Sequence, residues 1–71
     1  MITVKVVDKS TGKSAKDRKV ALQFWDGVTD IEYTDENGEA HFDFENRNGK
    51  VHVDGSIKHE GHLSDRIVIY I

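Results

Sequence analysis

This sequence predicts an all-β fold, most simply a small sandwich or partly open barrel, on three observations. Apolar and polar residues alternate through several short segments, turn formers recur about every ten residues, and neither Pro nor a helical apolar stripe interrupts the pattern. Seventy-one residues allow one domain, residues 1–71, with one core and a thin stability margin. With no Cys, neither a disulfide framework nor a thiolate metal site supports the fold. Apolar packing and backbone pairing must carry it.

Residues 2 to 7 place Ile2, Val4 and Val6 on one face and Thr3 and Lys5 on the other, the period of a half-buried strand. Residues 8 to 18 are polar, contain Gly12 and read as a loop. A second strand, 19 to 25, aims Val20, Leu22 and Phe24 one way and Ala21, Gln23 and Trp25 the other. Asp26-Gly27 then predicts a two-residue hairpin that sets Trp25 opposite Val28, Leu22 opposite Ile31 and Val20 opposite Tyr33.

The third strand, roughly 29 to 34, ends in Asp35-Glu36-Asn37-Gly38, and a four-residue loop there pairs Tyr33 with Ala40 and Ile31 with Phe42. A fourth strand, 39 to 45, carries Ala40, Phe42 and Phe44 inward. For the next turn, Asn46-Arg47-Asn48-Gly49, a four-residue loop is favoured over a tight Asn-Gly turn. It opposes Glu45 to Lys50, Asp43 to His52 and His41 to Asp54, each pair being worth about 0.2 to 1 kcal/mol. Strand five covers 50 to 54, and residues 55 to 65 read as a loop with room for a short edge strand. The last strand, 66 to 71, is apolar on both faces, as suits a central strand or one whose outer face meets a partner. The total is about six to seven strands. Leu22, Ile31, Phe42, Val53 and Ile69 are expected to share one dry interior.

The order of these segments carries a resemblance. A first strand leads to Asp8-x-x-Thr11-Gly12-Lys13, then Val20-Ala21-Leu22, then Thr34-Asp35-Glu36-Asn37-Gly38-Glu39-Ala40-His41-Phe42, a turn with Gly49, and Val51-His52-Val53. This resembles the transthyretin-like (prealbumin-like) β-sandwiches called carboxypeptidase regulatory-like and Cna B-type domains, over about residues 2 to 54 and loosely the last strand. The resemblance implies an antiparallel sandwich serving as an accessory, spacer or adhesive module. It departs from the Cna B-type pattern at the isopeptide cross-link, because Lys5 falls on the outward parity and the last strand offers only Asp65 at its start.

A net charge of -3 from dispersed residues gives no field that would draw nucleic acid or acidic lipid, and no run approaches the ~20 apolar residues of a membrane span. The opening residues lack a secretory pattern, which makes the cytoplasm the default expectation, or the exterior for a module of a longer chain. Ser10, Ser14, Ser56 and Ser64 sit in loops without a nucleophile-elbow pattern, so no enzyme activity and no cofactor are expected. Asp35, Asn37 and Glu39 alternate as in a calcium loop, but turn formation accounts for them without the full ligand set.

His41, His52, His59 and His62 define a transition-metal alternative, which requires three or four donors to converge within ~2.0–2.2 Å of one point. The competing description is a solvated sheet face of paired charges, with at most a small pH response at exposed positions. A second face carries Val7, Ala21, Trp25, Val28, Val68 and Tyr70, which either pack against the other sheet or form an exposed patch. In the second case Trp25, Val28, Val68 and Tyr70 make a protein interface, for self-association or another partner. The leading expectation is therefore a non-catalytic binding or accessory module.

Overall fold

In the computed structural model, which describes residues 1–71, the alternation of the first segment is realised as β1 (Ile2–Asp8). Ile2, Val4 and Val6 are wholly buried, whereas Thr3 and Lys5 lie on the outer face. No helix follows. The remaining strands are β2 (Lys13–Ser14), β3 (Lys19–Phe24), β4 (Gly27–Val28), β5 (Glu32–Tyr33), β6 (Glu39–Phe42), β7 (Arg47–Val53), β8 (Ser56–Leu63) and β9 (Arg66–Tyr70). Three of them are two-residue bridges, leaving six of substance.

The strands form two packed sheets, and the fold is a small β-sandwich. In the first, β1 pairs antiparallel with β6 and β2 and parallel with β9. In the second, β3 pairs antiparallel with β4, β5 and β7, and β7 pairs with β8. The core lies between the inner faces: Ile2, Val4, Val6, Ala40, Phe42, Ile67 and Ile69 from one sheet, and Val20, Leu22, Phe24, Val51, Val53 and Leu63 from the other. Burying each large aliphatic side chain contributes roughly 1.5–3 kcal/mol against chain entropy.

The expected interior holds for Leu22, Phe42, Val53 and Ile69 but fails for Ile31, which is 52% exposed. The cause is a slipped hairpin. Phe24 pairs with Gly27, so the turn residues are Trp25 and Asp26 rather than Asp26 and Gly27. The Thr29 backbone N–H donates to Leu22 O, and its hydroxyl accepts from Leu22 N at 2.9 Å. Beyond it the register shifts by one, to Lys19 opposite Tyr33. One residue of slip turns every later side chain over. Ile31 and Tyr33 therefore face out, and Thr34 faces in at 2% exposure. Its hydroxyl donates to Ala15 O at 2.6 Å and accepts from Arg18 N at 2.9 Å, tying the long first loop to the sandwich.

The turn at Asp35–Gly38 forms, but it does not lead into a hairpin ladder. β6 pairs with β1, and β7 with β3 and β8, so the expected pairings of Ile31 with Phe42, Tyr33 with Ala40 and His41 with Asp54 are absent. Residues 43–46 instead carry the chain from one sheet to the other. Phe44 leaves the interior and stacks on Phe24, with ring centroids 5.3 Å apart. Of Asn46–Gly49, expected as a turn, Arg47, Asn48 and Gly49 form the start of β7. Gly49 is needed there for close approach, since a Cβ would meet Gln23 O at 2.6 Å and the Phe24 ring at 2.9 Å.

Residues 55–65 also depart from expectation, because most of them form β8. Its hairpin with β7 turns on Asp54-Gly55, both at positive φ, as a type I′ turn requires. β9 lies at the edge of its sheet, not the centre, and its pairing with β1 is parallel.

Gly38 joins the seam where β6 gives way to β2 along β1. Its carbonyl accepts from Val6 N, Val6 O accepts from Ala15 N, and a Cβ at Gly38 would lie 2.6 Å from Val6 O. Gly38→Ala should cost about 2–4 kcal/mol, from left-handed strain plus overlap. Gly12→Ala, at φ 74° in open space, should cost only about 1 kcal/mol. Urea unfolding of both variants checks the difference, and equal losses would contradict the seam.

Candidate functional site

The outer face of the first sheet gathers one cluster of polar side chains. β1 brings Thr3 and Lys5, β6 brings Glu39 and His41, and β9 brings Arg66, Val68 and Tyr70. The Asp35 turn leads into the start of β6. Asp35 Oδ1 accepts from Asn37 N at 2.8 Å and Glu39 N at 3.0 Å, which closes the loop. These amides, that of Glu39 foremost, hold its carboxyl below the usual carboxylate range, and nearby His41 acts in the same direction. The hydroxyl and amide of Ser10 lower Asp8 likewise at the other loop.

His41 Nδ1 lies 2.9 Å from Thr3 Oγ1, and its Nε2 lies 3.9 Å from both Asp35 Oδ2 and Glu39 Oε1. Arg66 reaches across β1 to donate to Glu39 Oε2 at 2.7 Å. Asp35, Glu39 and His41 are the one group of three His, Asp or Glu donors close enough to share an ion. Their contacts describe a closed turn beside an ion pair, with Arg66 already neutralising Glu39, and partly exposed pairs of this kind contribute little.

The four histidines do not converge. His41 belongs to the first sheet, and the others belong to β7 and β8 of the second. His52 Nε2 contacts Gln23 Oε1 at 2.8 Å, His62 Nδ1 contacts Asn48 Oδ1 at 3.3 Å, and His59 sits opposite Val51.

The four proposed interface residues are all exposed but occupy two places. Trp25, at 90%, stands in the β3–β4 turn, and Val28 follows it on β4. Beneath Trp25 runs a shallow groove lined by Phe24, Asn48, Gly49, Lys50 and Glu60. Val68, at 43%, and Tyr70, at 63%, project from β9 on the other sheet. Val7, from the same second-face set, is buried. Sequence reasoning missed Arg47, whose guanidinium lies 4.3 Å above the Phe24 ring and 3.0 Å from Asp26, bracing the turn that displays Trp25. Nothing short of the β7 register would have placed it there.

No family model, curated protein or solved structure matches this chain.

Because folding lowers the Asp35 carboxyl, its ionised form stabilises the native state above about pH 4, and that stabilisation is lost as pH falls through the lowered value. Asp35→Asn keeps the Oδ1 acceptor without the titration. Its urea midpoint should fall less than that of the parent between neutral pH and about pH 3. An equal fall in both would contradict the assignment.

Proposed function

We propose that this chain is a non-catalytic binding or accessory module that acts through protein–protein contacts, in the manner of a transthyretin-like sandwich domain. The observation that carries this reading is Trp25, an indole 90% exposed at the tip of a braced hairpin. Tryptophan is highly buried on average, and where it stands free it supplies much of the energy of interfaces. The Arg47–Asp26 pair and the Arg47–Phe24 stack hold the turn from below, so little conformational entropy is lost when a partner covers it. Val28 extends the apolar surface along β4, and Lys50 and Glu60 supply a polar rim beside the groove.

The alternative of a transition-metal protein built on His41, His52, His59 and His62 gains no support from their placement on separate sheets.

Affinity recovery with the parent chain and with Trp25→Ala, Tyr70→Ala and the double variant tests the proposal. Partner recovery should drop at least about tenfold for variants lacking Trp25, the effect of ~1.4 kcal/mol, with the thermal transition unchanged. Recovery equal to the parent in the double variant would remove this reading.

A further inference from the structure

β9 is the least protected edge of the sandwich. Of the other edges, β2, β4 and β5 are two-residue bridges and β6 has four residues with Glu39 and His41 among them. β8 is long but carries Lys58, Glu60 and Gly61 at φ 135°, and its ladder with β7 is broken by a register shift. These are the devices that keep an edge from pairing with another chain. β9 has none of them between Ile67 and Tyr70. Its one charge, on Arg66, is drawn over β1 to Glu39, away from the open side.

The backbone of β9 is half used. Asp65 O accepts from Thr3 N, Ile71 N donates to Val7 O, and Ile71 O accepts from Lys9 N, so these residues face β1. Strand alternation turns Ile67 and Ile69 the same way and points the N–H and C=O of Arg66, Val68 and Tyr70 outward. β1 is the only strand that β9 pairs with.

We infer that this edge takes a second copy of the chain, two β9 strands pairing antiparallel about a twofold axis at Val68. The inference deepens the Val68–Tyr70 half of the proposed function and is independent of Trp25. The strand is its own complement. The twofold sets Val68 against Val68 and Arg66 against Tyr70 of the partner, with all outward N–H and C=O groups of the three residues satisfied. The Tyr70 ring then lies along the aliphatic stem of the facing Arg66, and no acidic side chain meets another. The first sheets join into one continuous sheet through the dimer. So small a contact makes a weak, concentration-dependent dimer.

Sedimentation equilibrium over a concentration series tests this, with hydrogen exchange on the same samples. The mass should rise from 8.1 kDa toward twice that value. In step with it, the amides of Val68 and Tyr70 should become protected. Val68→Lys places two ammonium groups at the axis and should abolish both changes, whereas Val68→Thr and Trp25→Ala should retain them. A parent that stays monomeric, a dimer that survives Val68→Lys, or one lost in Trp25→Ala would overturn the inference. Exchange on the parent decides the matter even if Val68→Lys folds poorly. A monomeric parent that still recovers a partner through Trp25 would defeat this pairing alone.

Discussion

β1 has a neighbour along both of its backbone edges, antiparallel β6 and β2 on one and parallel β9 on the other. Its inward residues Ile2, Val4 and Val6 are completely buried. No other strand of the first sheet touches all the rest. The chain adds β2 beside β1, lays down β3, β4 and β5 of the second sheet, visits β6, returns to the second sheet for β7 and β8, and closes as β9 against β1. Each crossing lets the two apolar faces grow opposite one another. The parallel β1–β9 pair is the step that ties the last strand to the first, and a non-local contact of this kind is slow to form.

The inner faces were legible along most of the alternating segments, though not at Ile31, Tyr33 and Phe44, which are exposed. Val20, Leu22, Phe24, Ala40, Phe42, Val51, Val53, Ile67 and Ile69 are all buried as the period of two requires. Partnership was not legible. The pattern says which way a side chain points and nothing about which strand lies alongside, so consecutive strands were paired as hairpins. Cross-strand charges misled because each is worth only about 0.2 to 1 kcal/mol, far less than closing the two sheets over Phe42 and Leu22. Asp54 instead binds Arg18 at 3.0 Å, and His52 binds Gln23. β8 escaped because both its faces are largely exposed, and backbone bonding to β7 leaves no periodic trace. Ala15 and Thr34 escaped for the opposite reason, being inward residues set in polar surroundings.

Of the candidate site, residue types were legible and their grouping was not. Of the aromatic and apolar residues expected on a second face, Val7 is buried and Trp25, Val28, Val68 and Tyr70 are exposed, and the two-layer fold divides those four between the Trp25 hairpin and the β9 edge. The polar clusters of the outer face resolve into local tasks: Asp35 closes a turn, Arg66 neutralises Glu39, and Thr3 orients His41. Trp25, Val28, Val68 and Tyr70 have no such internal task, nor do the outward backbone groups of β9, and Ile31, Tyr33 and Ile57 are exposed as well. The Trp25 hairpin and the β9 edge are both held by ordered neighbours, through Arg47 in one case and β1 in the other.

The direction of β9 beside β1 tests the account most directly. Interstrand nuclear Overhauser contacts should join Thr3 to Arg66 and Val7 to Tyr70, start to start and end to end, as the parallel register demands. Contacts joining Thr3 to Tyr70 and Val7 to Arg66 would mean an antiparallel closure, and with it a different outward set on β9 and a different sandwich.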